Sequence, residues 1–255
     1  MLLDGKVAIV TGAAGGIGRA ISLALAAEGA SLALVDLPQA VAMEAAAEQV
    51  RGHGRPAHVI PADISRAPQT RHMAASVLQE FGRIDILVNN AGLTNRAPVL
   101  EITEEKLRQI FDVDVFGALF CSQAVAPHMI AQQRGKIINI SSVSAELATR
   151  NMTPYCAAKA AVNMLTRGLA VEFAPHNICV NAIAPGVVET ERVHARFANP
   201  RNKEDVLART PRGTITQPAD VGNVAVWLAS DFANEISGQI IVVDGGYTLQ
   251  GPEWW

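Results

Sequence analysis

The chain has 255 residues, of which 49% are hydrophobic and 18% charged, and its formal net charge is −3. This ordinary globular composition suits one large domain or two small ones. Because no basic cluster occurs, nucleic acid is not expected as a partner. The first residues lack the charged-then-apolar layout of a signal peptide, and no apolar run approaches membrane-spanning length. We expect a soluble cytoplasmic protein that binds no membrane.

The cysteines and histidines do not suggest a disulfide or a metal site. Cys121, Cys156 and Cys179 are odd in number and widely spaced, which is typical of reduced thiols that fill a core. The six histidines have no metal-ligand spacing. We expect no bound metal.

Short apolar runs rich in β-branched residues alternate along the chain with longer stretches of helical spacing. The predicted strands are Val7–Val10, Leu32–Val35, Ala57–Ile60, Ile84–Val88, Ile137–Ile140, Cys179–Ile183 and Ile240–Val243, and helical spacing is clear in Ile17–Ala27 and Val41–Val50. This alternation indicates a parallel sheet covered by helices on both faces. No linker or repeat interrupts it, so we predict one α/β domain spanning residues 1–255.

A glycine-rich turn lies between the first predicted strand and the helix after it. Glycines let the backbone approach a pyrophosphate, and a helix N-terminus offers N–H donors and a favourable dipole. The spacing is not the common G-x-G-x-x-G, and a turn without a ligand is the alternative. Its place after the first strand favours a dinucleotide site formed by Gly12, Gly16, Ile17 and Gly18.

Asp36 ends the second predicted strand, eighteen residues after Gly18. A carboxylate there can accept hydrogen bonds from the adenosine ribose hydroxyls and repels a 2′-phosphate. Leu37 and Pro38 follow, so no arginine adjoins Asp36 to bind that phosphate. The sequence favours NAD over NADP, although a solvated Asp at a strand end is the alternative.

The ends of the next two strands carry further candidate cofactor contacts. Asp63 and Ile64 end the third strand and are predicted to close over the adenine. Asn90, Ala91 and Gly92 follow the fourth, at the carboxyl edge where ligands bind in such sheets. A plain turn explains these three residues equally well when they are considered alone.

The fifth predicted strand leads into hydroxyl, phenol and ammonium groups. It ends at Ser141 and Ser142, and a helix is expected soon after, with Thr153 as its cap and a proline at its first position. Tyr155 and Lys159 are four residues apart, so on a helix they share a face. Because a nearby ammonium favours a phenolate, Tyr155 is a candidate general acid and base.

Together these motifs resemble the short-chain dehydrogenase/reductase family, in its compact single-domain branch. The resemblance runs from about Gly5 to about Gly246 and rests on Thr11-Gly12 with Gly16-Ile17-Gly18, Asn89-Asn90-Ala91-Gly92, Ser142, Tyr155 with Lys159, and Asn181-Ala182-Ile183-Ala184-Pro185-Gly186. It implies a Rossmann-type, doubly wound sheet of seven parallel strands and a nicotinamide cofactor. It also implies a homotetramer, or a dimer, paired through long helices over Glu104–Ile130 and Tyr155–Phe173.

The resemblance also implies roles for the site residues. Tyr155 would exchange a proton with an alcohol or carbonyl oxygen, Lys159 would favour the phenolate and hold the nicotinamide ribose, and Ser142 would hydrogen-bond the substrate oxygen. The nicotinamide carboxamide would lie against the segment after the sixth strand, whose predicted contacts are Pro185, Gly186, Val188 and Thr190.

One position departs from the family pattern. Asp114 stands where an asparagine usually completes the active site and holds a helix kink and a proton-relay water. A buried ionised carboxylate is costly unless it is paired or hydrogen-bonded. We expect Asp114 to be satisfied or protonated, with activity retained.

Substrate identity is expected in three segments, Leu93–Pro98, Val143–Met152 and Glu191–Arg209, the last forming a substrate loop at about 190–210. Polar side chains there favour a polyhydroxylated or anionic alcohol or carbonyl substrate. The prediction is a sugar or polyol dehydrogenase. Trp254 and Trp255 at the tail are predicted to pack at a subunit interface.

Three other functions are considered. A 3-oxoacyl thioester reductase would share every motif, but such relatives commonly favour NADP, which Asp36 opposes. A cofactor-binding sensor without chemistry is disfavoured by the intact Ser142, Tyr155 and Lys159. A sugar-nucleotide epimerase would need a longer C-terminal part.

Overall fold

The computed structural model describes residues 1–40 and 42–249, and a seven-stranded sheet lies at its centre. The strands are β1 Val7–Thr11, β2 Ser31–Asp36, β3 Ala57–Pro61, β4 Ile86–Asn89, β5 Gly135–Ile140, β6 Ile178–Pro185 and β7 Ile240–Val243. Their order is β3-β2-β1-β4-β5-β6-β7, and all neighbours are parallel. The predicted doubly wound α/β fold is confirmed. The tail with Trp254 and Trp255 lies outside the described residues, so its predicted packing stays a prediction.

Helices cover both faces of the sheet. They are α1 Gly16–Ala27, α2 Met43–Gly52, α3 Ala67–Phe81, α4 Glu104–Phe111, α5 Ala118–Gln132, α6 Thr153–Phe173, α7 Glu191–Phe197, α8 Pro200–Ala208 and α9 Pro218–Ala229. Ala8 and Val10 of β1 belong to a core shared with α1, α2 and α9, whereas Val7 and Ile9 belong to a core shared with α3, α5 and α6. Because both faces of the central strands are buried, these strands appear in the sequence as apolar runs, whereas the edge strands β3 and β7 are only partly buried.

The strand order reverses at β1, which pairs with β2 on one side and β4 on the other. Thr11 Oγ1 accepts hydrogen bonds from the backbone N–H groups of Asn90, at 3.0 Å, and Ala91, at 3.1 Å. Asn90 Nδ2 donates to the carbonyl oxygens of Thr11, at 2.9 Å, and Gly12, at 3.0 Å. These bonds tie the glycine-rich turn to the end of β4, at the point where such sheets bind ligands.

The long helix predicted over Glu104–Ile130 is interrupted. Helices α4 and α5 are joined by a π-helical turn, Asp112–Gly117, of a kind often found at functional sites.

The continuous stretch Glu104–Gln132 is 29 residues long and has a window with a mean hydropathy of 1.3. By length and composition it could cross a membrane. This corrects the expectation that no apolar run approaches that length. Half of that window is buried, and α5 packs in the core with α3 and α6.

Two local predictions, the cap of α6 and the loop at about 190–210, are wrong. Helix α6 is capped by Met152 and not by Thr153, and no side chain bonds the free N–H groups there. The segment at about 190–210, predicted as a loop, contains α7 and α8. Helix α8 begins there because Asn199 Oδ1 accepts a hydrogen bond from the Arg201 N–H at 3.1 Å and a proline starts the helix.

Gly18, in the first turn of α1, lies directly beneath the glycine-rich turn. A methyl group at this position would overlap the carbonyl oxygen of Gly12 and contact the Asn90 amide. The neighbouring atom is backbone in a turn tied to β4, so it has little freedom to move. Only glycine fits this approach of helix and turn.

We therefore predict that Gly18→Ala lowers the free energy of unfolding by about 3 kcal/mol or more, because overpacking here displaces backbone. Urea unfolding of the ligand-free protein measures this. The matched control is Gly15→Ala, since Gly15 is extended (φ −159°) and an added methyl would meet no atom within 4 Å. The control should lose less than about 1 kcal/mol. Equal losses in the two variants would contradict the account.

Candidate active site

A cleft of about 1260 Å³ opens at the carboxyl edge of the sheet. The predicted site residues that line it are Gly12, Gly16, Ile17, Asp36, Asp63, Ile64, Asn90, Ala91, Gly92, Ser142, Tyr155, Lys159, Pro185, Gly186, Val188 and Thr190. Gly18 and Asp114 do not line it, since Gly18 packs beneath the glycine-rich turn and Asp114 is buried behind Lys159. The fold thus brings residues from seven separate segments around one space.

The glycine-rich turn and Asp36 form one end of the cleft. Gly12 and Gly16 have φ values of 64° and 54°, which favour glycine. Asp36 Oδ2 accepts a hydrogen bond from the Ala14 N–H at 3.0 Å, and Oδ1 accepts one from the Leu37 N–H at 2.8 Å. Each carboxylate oxygen keeps a lone pair for a ribose hydroxyl. The turn and the carboxylate therefore fit the pyrophosphate and adenosine ribose of a nicotinamide dinucleotide.

Asp63 and Ile64 lie beside this end of the cleft. Asp63 Oδ1 accepts hydrogen bonds from the Ser65 backbone N–H, at 3.0 Å, and hydroxyl, at 2.7 Å, which fixes the turn after β3. Ile64 is 5% exposed and packs so closely on Gly117 that a methyl there would lie 2.7 Å from Ile64 Cδ1. Ile64 can thus form an apolar wall for an adenine ring.

Asn90 and Gly92 shape the middle of the cleft. The Asn90 side chain is occupied with the carbonyl oxygens of the glycine-rich turn, so it acts on a cofactor by holding that turn. Gly92 lies against the charged groups behind it, since a methyl there would be 3.0 Å from Asp114 Oδ2 and 3.3 Å from Lys159 Nζ. The Thr11 hydroxyl completes the same junction, a role that the sequence motif alone does not indicate.

Tyr155 and Lys159 lie on one face of α6, as predicted. Lys159 Nζ is 5.7 Å from the centre of the Tyr155 ring, and the lysine is 4% exposed. Nζ donates to the carbonyl oxygen of Ile140, the last residue of β5, at 2.9 Å. The ammonium is thereby fixed between the strand end and the phenol.

Asp114 is the buried counter-ion of Lys159. It is 2% exposed and lies in the π-helical turn, with Oδ2 3.1 Å from Lys159 Nζ and Oδ1 accepting a hydrogen bond from the Leu93 N–H at 2.7 Å. Oδ2 accepts no hydrogen bond from the described residues, so its contact with Lys159 Nζ is a charge pair. The carboxylate thus accepts one hydrogen bond, from Leu93, and carries the negative charge that balances Lys159. An asparagine could accept the same hydrogen bond but would carry no charge.

The charges around Lys159 decide its protonation. Burial lowers the pKa of the Lys159 ammonium, but the negative charge of Asp114 and the Tyr155 phenol raise it, and the net direction is upward. Lys159 is therefore an ammonium throughout the neutral and mildly alkaline range.

The structure distinguishes the two adjacent serines. The Ser141 hydroxyl is 3% exposed and donates to Asn163 Oδ1 at 2.6 Å, so it is committed to the packing of α6 on β5. Ser142 Oγ accepts from the Ser144 N–H at 3.1 Å, which leaves its own proton free to donate. Both serines line the cleft, so it is the free hydroxyl proton that makes Ser142 the candidate for a bond to a substrate oxygen.

The segment after β6 forms the remaining wall. Gly186 packs on Asp244, where a methyl would lie 2.7 Å from Asp244 Cβ, and its N–H donates to the Val243 carbonyl oxygen at 2.9 Å. Thr190 precedes α7, and its methyl would lie 3.4 Å from a methyl placed on Gly16. This segment therefore connects the cofactor end of the cleft to α7.

The thiols remain free and mostly buried. Burial raises the pKa of the Cys121 thiol to about 12, as for an inert core residue. Within residues 1–40 and 42–249, no three His, Cys, Asp or Glu side chains form a group that could hold a metal ion.

We predict that Asp114→Asn lowers the free energy of unfolding by about 3 kcal/mol or more, because an amide leaves the buried Lys159 ammonium without its counter-ion. Since the pKa of Lys159 is raised, the contribution of the pair is fully present below the ordinary lysine value of 10.5 and is lost only as the pH rises through the raised value. Urea unfolding should therefore give the full loss near pH 6. The loss should shrink as the pH rises toward 10.5, because burial lowers the pKa of Lys159 in the variant and the variant gains stability once that lysine is neutral.

The matched control for this prediction is Asp112→Asn, the same chemical change at an exposed position of the same π-helical turn. It should change the free energy of unfolding by less than about 0.5 kcal/mol. A loss in Asp114→Asn no larger than in this control would refute the charge pair.

The chain is similar to known proteins over nearly its whole length. A family model described as enoyl-(acyl carrier protein) reductase matches residues 12–248. A sorbitol dehydrogenase of Cereibacter sphaeroides is 42% identical over 96% of this chain and 98% of its own length. A 3-oxoacyl-(acyl-carrier-protein) reductase of Thermotoga maritima is 38% identical over 98% of this chain and its whole length, 100%.

A solved structure adds a likeness in three dimensions. A gluconate 5-dehydrogenase of Burkholderia cenocepacia, crystallised with NADP and tartrate, has a TM-score of 0.93 and 36% identity, covering 98% of this chain and 97% of that one. The relatives and the solved structure each match 96–98% of the chain. The chain belongs to the short-chain dehydrogenase/reductase family of NAD(P)-linked oxidoreductases.

Proposed function

We propose that the chain is an NAD-dependent dehydrogenase that interconverts a secondary alcohol and a carbonyl group on a sugar, a polyol or a related polar small molecule. The observation that carries the proposal is the Tyr155 phenol beside the buried Lys159 ammonium, in the same cleft as the glycine-rich turn. A positioned phenol next to a fixed positive charge can give or take a proton at a substrate oxygen. When bound, the nicotinamide supplies the redox chemistry, and the protein supplies geometry and the proton.

Each side chain in the proposed mechanism acts on one atom. The Ser142 hydroxyl donates to the substrate oxygen and orients it toward the Tyr155 Oη, which exchanges the proton with that oxygen. Lys159 stabilises the phenolate by its charge and presents its remaining N–H groups to the cleft. Asp114 touches no substrate, so it is a positioning residue that keeps Lys159 charged.

A polyhydroxylated substrate is supported by the polar groups near Tyr155 and by the relatives. Thr94, Ser144 and Thr149 line the cleft on the substrate side, in the segments where specificity is predicted. The names of two similar proteins, a sorbitol dehydrogenase and a gluconate 5-dehydrogenase, agree with such a substrate. The Thermotoga relative supports a second candidate, a 3-oxoacyl thioester reductase.

Selectivity for NAD is proposed from Asp36. Its carboxylate is held at the end of β2 by two backbone N–H groups, and it would face a 2′-phosphate with like charge. Arg66 also lines the cleft, but its guanidinium lies 4.0 Å from the Asp63 carboxylate. The Burkholderia gluconate 5-dehydrogenase, in contrast, was crystallised with NADP.

We further propose a homotetramer, with a dimer as the alternative, located in the cytoplasm. An apolar groove between α5 and α6, which includes Leu119, Ile130 and Leu165, and the exposed Met164 (62%) and Val171 (77%) of α6 support assembly through these helices. Light scattering should give four times the chain mass of 27.0 kDa, and a single chain mass would exclude assembly. Fractionation of cells tests the location.

The proposed chemistry predicts that Tyr155→Phe lowers kcat/KM by about 10²–10⁴-fold while NAD binding is retained, because only the exchangeable proton is lost. The measurement is turnover of alditols, ketoses and 3-oxoacyl thioesters with NAD. The comparator Tyr247→Phe removes the other phenol that lines the cleft and should cost less than about tenfold. Turnover of thioesters and no polyol would favour the second candidate. Binding of NAD without wild-type turnover of any compound would favour a sensor.

The proposed NAD selectivity predicts the effect of Asp36→Asn. Removing the negative charge should lower the ratio of kcat/KM with NAD to that with NADP by about tenfold or more, since repulsion of the 2′-phosphate is lost. Both cofactors are titrated at a fixed substrate concentration, and thermal unfolding checks that the variant is folded. A wild-type preference for NADP would overturn the proposal.

A further inference from the structure

Three arginines lie on the substrate side of the cleft, and we call them the arginine cluster. Arg96 follows β4, and Arg192 and Arg196 lie on α7. All three line the same cleft as Ser142 and Tyr155. The sequence separates Arg96 from the other two by about a hundred residues, and the fold brings them to one wall.

A hydrogen bond joins the two segments that carry the cluster. Arg192 Nη1 donates to Thr94 Oγ1 at 3.1 Å, so α7 lies across the segment that follows β4. Arg196 is one turn further along α7. Burial, and next the positive charge of Arg196, lower the pKa of the Arg96 guanidinium, so the two charges lie close enough to repel.

None of the three arginines forms an ion pair among the residues that the structure describes, although Glu105, Asp112 and Glu191 also line the cleft. In the part of the chain that the structure describes, no carboxylate lies within 4.0 Å of any of the three guanidinium groups. Other arginines do have such partners, as Arg108 has in Glu104 at 2.7 Å. An arginine stays charged at any pH at which proteins fold, so the cluster presents a fixed positive charge to the cleft.

We infer that the arginine cluster binds an anionic group at the end of the substrate remote from the reacting hydroxyl, so that the substrate is an acidic polyhydroxy compound such as an aldonic acid. This inference rests on the proposed polyol or sugar dehydrogenase function and narrows its substrate class. A guanidinium offers paired N–H donors that match two oxygens of a carboxylate. A phosphate ester presents the same anionic oxygens. A neutral polyol would leave the charges facing only hydroxyl groups.

The test compares six-carbon substrates that differ at one terminal group, which is neutral in one compound and anionic in the others. Purified full-length enzyme with NAD is assayed on matched six-carbon compounds, D-gluconate, D-glucitol and D-glucitol 6-phosphate, and on other epimers of each class. We expect kcat/KM for the better anionic class to exceed that for the neutral alditols by about tenfold or more. The carboxylate and phosphate arms identify which anion the cluster binds.

The variant Arg96→Gln should remove most of this preference, mainly by raising KM for the anionic compounds, while kcat/KM for any neutral alditol changes less than about threefold. The control Arg71→Gln makes the same charge change on α3, at an exposed position away from the cleft, and should change none of these values.

Two results would overturn the inference. If alditols are turned over as well as aldonates and phosphates, or if Arg96→Gln affects neutral and anionic compounds equally, the cluster binds no substrate anion, and the proposed function stands. If only acyl thioesters are turned over, the proposed function fails and the inference fails with it.

Discussion

The contact between Asp114 and Lys159 is the constraint on which the site depends. Two opposite charges, 2% and 4% exposed, lie 3.1 Å apart in the protein interior. Removing either one would leave the other buried and unpaired, which is strongly destabilising. Gly92 has no side chain that would crowd the two charged groups, and the π-helical turn positions the Asp114 carboxylate beside the ammonium.

This pair connects the fold to the proposed chemistry. Lys159 is held at once by the end of β5 and by Asp114, so α6 presents Tyr155 at a fixed place on the sheet edge. Thr11 and Asn90 hold the glycine-rich turn at the same edge. The same strand ends therefore position the Tyr155 phenol and the glycine-rich turn. The wall of the cleft that carries the arginine cluster is proposed to select the substrate.

Much of the fold follows from the sequence, and the exceptions have physical reasons. Strands β1, β2, β4, β5 and β6 are buried on both faces and appear as apolar runs in the sequence. The edge strands β3 and β7 are only partly buried and were predicted from their β-branched residues. The π-helical turn inside the predicted helix was not predicted from the sequence, because one added residue leaves the apolar pattern nearly unchanged. Among the site residues, motif spacing identified Tyr155 and Lys159. The spacing of thirteen residues before Tyr155 also selected Ser142 over Ser141. Motif spacing did not assemble the arginine cluster, since contacts between distant segments depend on tertiary structure.

The central claim, that Asp114 keeps the buried Lys159 charged, is tested most directly by titrating the lysines with ¹³Cε-labelled lysine NMR. If Asp114 keeps Lys159 charged, the pKa of Lys159 in the wild-type protein should lie above the ordinary lysine value of 10.5. In Asp114→Asn it should fall below that value, since burial then dominates. A pKa of Lys159 below 10.5 in the wild-type protein, or an unchanged pKa of Lys159 in the variant, would contradict this claim.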